Sequence, residues 1–490
     1  MNPHLELDKR IVAEIYTSRE PMENLEVLCD IYGSRFPGTE GDRGAVEWMI
    51  EKLKEYGLEN VHAESFKFPG WIRGPARLEI LRPIEREIEC ISLPLGVAGE
   101  VEGRLIYLGD GHPDVYEKRR SEIEGNIAMV TSRNPLGMKR YLHRTEKYMR
   151  CILAGARGWI FMNHYPAYGP PTGSISPIIP AVAVSYEDGC YLTRLLKREG
   201  EVYLRIETSD RNMEMETYNV VADVPGGEVD GEYLIVGCHY DGHDIAQGAI
   251  DPASGAVTAM EIARVLSILG DGLKRRVRLI LFGAEELGLF GSYEYVQRHE
   301  GELNELRFML NLDAAGREGR KGVFIHGHPE LEPLIEASAR EMAVELPYMQ
   351  RVTPYSDHWP FFLKGVPCGS GGDPEAFRTG RGYGHTRYDT VDKVKLSDLR
   401  EASAVYARLL LRMANIDEWP GRRLRWEEVE GFIREQGYYQ TIALVERVKG
   451  ICEELEGAPS GYKGLAGEGG TLQGLPINMR VREAHLSLWL

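Results

Sequence analysis

His239, Asp251, Glu286, Asp313 and His385 have the side chains of metal ligands and follow one another through the second half of a 490-residue chain. Two imidazoles and three carboxylates suit a borderline divalent ion such as Zn2+. Five ligands are too many for one tetrahedral site. They fit two ions that share one carboxylate, about 3.5–4 Å apart. Asp241 follows His239 by two residues, so on a strand both side chains share a face. Its carboxylate is then expected to accept the second ring N–H of His239 and fix the tautomer. Glu285 is the carboxylate left over beside a ligand. There it can act as general base and return the proton to a leaving amine. One strand-end carboxylate alone is more often a cap or a solvated charge; the ordered set is what points to metal.

These residues need elements to position them. Tyr233–Cys238 and Arg276–Phe282 read as strands, and Ser254–Leu269 as a helix with apolar residues at three- and four-residue spacing. Each run empties into a polar cluster: His239 and Asp241, then Asp251, then Glu285 and Glu286. Ligands just past the carboxyl ends of parallel strands define an open α/β site on a doubly wound sheet. Strands over Leu306–Leu312 and Gly322–Ile325, and helices near Leu331–Val344 and Ser397–Met413, continue that rhythm through residues 211–415.

Residues 1–75 form an N-terminal part of the same domain, helical over 8–58 with a break at Tyr32–Thr39. Thr39 or Asp42 is expected to cap a helix over Ala45–Tyr56, and a strand over Val61–Phe68 to end at Pro69–Gly70. Residues 76–210 differ in character. Short strands (Leu105–Leu108, Ile127–Val130, Trp159–Met162, Ala181–Val184, Val202–Ile206) alternate with Gly/Pro turns and two short helices. Tyr168–Pro180 holds too much Pro and Gly for helix or central strand. This β-rich insert shows no ligand cluster, and His143 and His164 read as packing or surface residues. Residues 416–490 form an extension, helical over Trp426–Leu455 and then Gly-rich over Gly457–Gly474.

A net charge of −17 argues against a nucleic-acid partner. No apolar run approaches the length of a membrane span, and the start MNPHLELDKR lacks an apolar core after its charges, so neither membrane anchor nor signal peptide is expected. Seven cysteines, odd in number and scattered, point to reduced thiols and a cytoplasmic protein.

The segments HYD (239–241), IDPASG (250–255), GAEELGLFGS (283–292), NLDAAG (311–316), SDHWPFFLKGVP (356–367) and GHTRYDT (384–390) together resemble the co-catalytic di-zinc aminopeptidase family. That family also includes glutamate carboxypeptidase and the transferrin receptor. Residues 31–59 resemble its N-terminal portion, and AGARGWIFMN (154–163) with IPAVAVSYEDG (179–189) resemble a protease-associated domain. The resemblance implies a phosphorylase/hydrolase-like mixed sheet with helices on both faces. It implies two Zn2+ ions per chain, other divalent metals being alternatives, with His239 and Asp313 on one ion and Glu286 and His385 on the other. Asp251 would bridge, Glu285 would be the base activating a metal-bridging water, and Asp241 would orient. It further implies a cis bond after Asp251.

Two positions depart from the family pattern. Pro252 replaces the usual Asp or Asn, and Gly384 stands where the carboxypeptidase branch has an oxyanion-steadying tyrosine, with Tyr383 one place back. The implied function is a zinc exopeptidase acting on peptides, an aminopeptidase first and a carboxypeptidase or dipeptidase as alternative. A homo-oligomer is compatible with this. Arg378, Arg381 and Arg387 could hold a substrate carboxylate or be solvated loop charges, the second being favoured. His358 could line the cleft, whereas His243, His326 and His328 read as packing or surface residues. A binding protein that kept the fold and lost catalysis is the rival class. It would lack ligands, yet all five ligand positions and the base are filled.

Overall fold

The computed structural model describes residues 2–227, 231–270, 272–375 and 382–438, together with 444 and 447. Two compact units emerge. The first comprises Met1–Phe68, Glu216–Gly384 and Tyr388–Phe432; the second comprises Pro69–Met215, the short stretch His385–Arg387 and the segment from Ile433 onward.

Eight strands make the sheet of the first unit among the described residues: β1 (Glu59–Ile72), β2 (Arg211–Val224), β3 (Tyr233–His239), β4 (Arg276–Phe282), β5 (Leu306–Asn311), β6 (Gly322–Ile325), β7 (Tyr348–Gln350) and β8 (Cys368–Gly372). Their order is β1-β2-β4-β3-β5-β8-β6-β7. The centre is parallel, β3 lying between β4 and β5 with β8 beyond, while β2 joins β4 and β6 joins β8 antiparallel. The sheet is therefore mixed, as the resemblance implied.

Alternation along the strands shows why helices cover both faces. Leu234, Val236 and Cys238 of β3 and Val277, Leu279 and Leu281 of β4 join the core built on the helix Ser254–Ile268 and on Leu396–Asn415. Phe282 points the other way, its ring 6.3 Å from Tyr295 and 6.1 Å from Phe361, which belong to the helices Phe290–Arg298 and His358–Leu363. Buried on both faces, β3 and β4 are near-continuous apolar runs.

Several boundaries differ from the sequence expectation. Thr39, not Asp42, caps the early helix, accepting a hydrogen bond from the Asp42 backbone N–H, and that helix starts at Glu40. The strand β1 does not stop at Pro69–Gly70 but runs to Ile72. β8 reads CGSGG, which no propensity would make a strand. Its glycines follow from close packing: a Cβ on Gly369 would lie 2.7 Å from Phe308 Cζ, and one on Gly371 2.7 Å from Leu312 Cδ2.

The second unit has its own sheet, in which Gly99–Tyr107, Ile127–Thr131, Gly158–Met162 and Ala181–Val184 run parallel in succession and Tyr203–Thr208 pairs antiparallel to the first. It carries four helices among the described residues, two more than expected, the longest being Arg144–Leu153 and Tyr186–Glu199. His143 heads the first of these, its Nδ1 accepting from the Thr145 N–H at 3.3 Å. Residues 170–177 are buried without helix or strand, in keeping with their Pro/Gly content. Of the C-terminal extension, Trp426–Glu435 is helical, but the helix expected to reach Leu455 gives way to a turn at 436–438, where Gly437 is left-handed (φ 77°), and the Gly-rich run lies outside the described residues. No helix among the described residues is long and apolar enough to cross a membrane.

Candidate metal centre

Within the first unit the strands deliver their polar clusters to one place. His239 ends β3, Gly283–Glu286 follows β4, and Asp313 follows β5. The His239 ring is almost fully buried. Its Nδ1 donates to the Asp241 carbonyl oxygen at 3.0 Å, so that in the neutral ring Nε2 carries the lone pair. Nε2 lies 3.4 Å from Asp313 Oδ1, 3.6 Å from Asp251 Oδ1 and 3.9 Å from Glu285 Oε2. Ligand atoms of His239, Glu285 and Asp313 all fall within 4.8 Å of one another.

Asp241 has a different job from the expected one. Its carboxylate is 3.7 Å from the ring of His239, and the tautomer is fixed by its backbone carbonyl instead. The carboxylate oxygens accept the backbone N–H groups of Glu285 at 3.1 Å and Glu286 at 3.2 Å. One buried carboxylate thus fixes the turn that carries two successive glutamates. Asp313 is held from the other side: Ser356 donates to its Oδ2 at 2.8 Å, and Asn311 donates to Ser356 at 2.6 Å.

Sequence reasoning missed His243. It is not a packing or surface residue: it is buried, and its Nε2 stands 2.9 Å from Glu286 Oε2. A histidine four residues past His239 was the available signal, but a loop position has no periodicity to say where it points. His358 lines no cleft. It is buried, its ring stacked 3.8 Å from His326 and its Nε2 donating to the Thr353 carbonyl, and burial pushes its pKa down to about 4. His326 and His328 are packing residues, both fully buried.

His385 belongs to the second unit by its contacts, with its backbone in the left-handed region (φ 61°). There its Nδ1 donates to the Thr172 carbonyl oxygen at 3.2 Å, and its own carbonyl accepts the Thr172 N–H at 2.9 Å. Arg387 pairs with Glu89 at the surface, whereas Arg378 and Arg381 lie outside the described residues. The Asp251–Pro252 bond is cis, as expected.

Electrostatics decide what this cluster needs. Asp241, Asp251, Glu285, Glu286, Asp313 and Asp357 converge on His239 and His243, most of them buried. Burial pushes the Glu285 carboxyl well above the usual range against the pull of His239, and the charges of Glu286, Asp357 and Asp313 push it further up. Burial likewise takes Asp357 up to about 7. So much buried negative charge is costly unless a cation compensates it. Imidazole and carboxylate donors at these distances fit divalent zinc.

A mixed α/β sheet with a cluster of imidazoles and carboxylates past the carboxyl ends of its parallel strands defines a candidate metal centre on an α/β fold. The comparisons with known proteins narrow it. Residues 219–410 match the model of Peptidase family M28, and residues 101–192 match that of the PA domain. The chain therefore carries a peptidase family M28 region over 219–410, preceded by a PA-domain region over 101–192. It is similar to carboxypeptidase Q of Mus musculus, 27% identical over 303 residues, which cover 60% of this chain and 64% of that protein. It is also similar to aminopeptidase YwaD of Bacillus subtilis, 25% identical over 400 residues, covering 79% of this chain and 83% of that one. Among solved structures, a peptidase M28 precursor from Shewanella amazonensis superposes with a TM-score of 0.74 at 25% identity, covering 86% of this chain and 98% of that one.

Proposed function

We propose that this chain is a zinc-dependent exopeptidase, and specifically an aminopeptidase. The observation that carries the reading is the Asp241 carboxylate, which holds the Glu285 and Glu286 N–H groups together beside His239, Asp251 and Asp313. The first glutamate, Glu285, is thereby available as a base and the next, Glu286, as a ligand. His239 and Asp313 would hold one ion, Glu286 and His385 the other, and Asp251 both. Bound zinc supplies Lewis-acid polarisation of the scissile carbonyl and a nucleophile at neutral pH. Glu285 would take the proton from that nucleophile and return it to the leaving amine. Asp241 keeps the Glu285 backbone fixed during both transfers.

The aminopeptidase assignment is supported by the similarity to YwaD, whose matched region covers more of both chains than that of carboxypeptidase Q. The carboxypeptidase Q likeness favours a second reading, a carboxypeptidase or dipeptidase. Hydrolysis of leucyl-p-nitroanilide, compared with the N-acetylated anilide and with N-blocked dipeptides, separates the two. Turnover of the free-amine substrate alone is expected. Turnover of N-blocked dipeptides alone would replace the first reading by the second. The odd, scattered cysteines support a reducing, cytoplasmic setting.

A further inference from the structure

The segment from His239 to Asp251 joins two of the proposed ligands, and it is held by two charged side chains far away in sequence. Arg35 is completely buried. Its Nε donates to the Tyr240 carbonyl at 2.9 Å and its Nη2 to the Gly248 carbonyl at 3.1 Å, while Nη1 donates to the carbonyls of Gln247 and Gly33. Asp389 is buried as well. Its Oδ1 accepts the Ile250 N–H at 2.6 Å and its Oδ2 the Asp251 N–H at 3.1 Å. The stretch carrying Asp389 is further tied to the segment, because Gln247 donates its N–H to the Asp389 carbonyl at 3.2 Å and accepts the Val391 N–H on Oε1 at 3.0 Å.

A guanidinium has donors only, and a carboxylate acceptors only. Arg35 therefore addresses the carbonyls of residues 240, 247 and 248, and Asp389 the amides of 250 and 251. The chain leaves no slack between them. Gly248 is left-handed (φ 58°), and a Cβ there would lie 3.0 Å from the Asp251 carbonyl oxygen and 3.3 Å from Arg35 Nη2. Resting on the metal-centre reading above, we infer that Arg35 and Asp389 are positioning residues. They form a paired clamp that sets the backbone of Asp251 so that its carboxylate faces both ions. Neither touches the reacting atoms. Groups that orient ligands in this way are typically worth about 10–100-fold in metal affinity.

The test uses the full-length chain and zinc alone as probe, with competition against a chromophoric chelator. Asp389→Asn keeps the shape but replaces one acceptor by a donor facing an N–H. Arg35→Lys keeps the charge but cannot reach the spread of carbonyls. In either variant both zinc-binding steps are expected to weaken together by about 10–100-fold, and saturating zinc should restore kcat with KM unchanged. If wild type binds two zinc ions and both folded variants bind them as tightly, with only Tm lowered, the clamp is merely structural and the inference is overturned. Failure of both variants to fold would overturn it too, since the contacts would then belong to global stability. If wild type itself binds no zinc, the metal-centre reading fails, a result distinct from the other two.

Discussion

Asp241→Asn isolates the contact that sets base and ligand side by side. The wild-type carboxylate accepts two backbone N–H groups, one on each oxygen, at 3.1 and 3.2 Å. An asparagine of the same shape can accept only one, and its amide N–H2 then confronts the other N–H. A hydrogen bond to a charged group contributes about 1.5–3 kcal/mol, so the loss corresponds to roughly 10–150-fold, at about 1.4 kcal/mol per decade. The turn carrying Glu285 and Glu286 should relax by that amount. Zinc affinity is expected to fall within that range and kcat at saturating zinc to fall as well. The His239 tautomer should survive, because its Nδ1 bonds the Asp241 backbone carbonyl and not the carboxylate. Chelator competition reads the first quantity and leucyl-p-nitroanilide turnover the second. Wild-type zinc affinity together with wild-type kcat in a folded Asp241→Asn protein would refute the reasoning.

Glu286→Gln should lower zinc content below two ions per chain in metal-buffered dialysis; unchanged content would remove Glu286 from the ligand set. In the second unit, Glu146 is fully buried and takes two hydrogen bonds from Arg140, at 2.7 and 3.0 Å, with Arg150 2.7 Å away. Burial pushes its carboxyl up, but the two arginines outweigh that and hold it below its usual value. A depressed acid contributes stability that is present above its unfolded pKa, near 4.3, and is lost as pH falls through the folded value. Glu146→Gln should therefore cost about 3–5 kcal/mol in urea unfolding at pH 7, a difference that shrinks below about pH 4; a pH-independent difference would contradict the assignment. Titration of the unfolded, unreduced chain with a thiol reagent should count seven cysteines, and five or fewer would reveal a disulfide; the six described cysteines are all free thiols.

What the sequence made legible followed from periodicity and order. β3 and β4 announce themselves because strands buried on both faces are near-continuous apolar runs. His239, Asp251, Glu285, Glu286 and Asp313 stand out because each follows such an element. β8 escaped because the packing that makes it a strand, Phe308 and Leu312 pressed on its glycines, comes from distant segments. The role of Asp241 was half legible: strand periodicity placed it beside His239, but nothing local shows that the next strand's turn supplies its N–H partners. His243, Arg35 and Asp389 were invisible for a related reason. They act on a side chain or a backbone many residues away, and neither composition nor spacing encodes such a contact.

Zinc content and turnover measured on the same sample of Glu285→Gln test the central claim most directly. The amide keeps the size of the side chain and the backbone N–H bonded to Asp241, but it cannot take up the proton. Full zinc content with leucyl-p-nitroanilide hydrolysis lowered at least about 100-fold, the lower end of what general-base catalysis contributes, is the expected result. Near-wild-type hydrolysis in the zinc-replete variant would contradict the role of Glu285 as base.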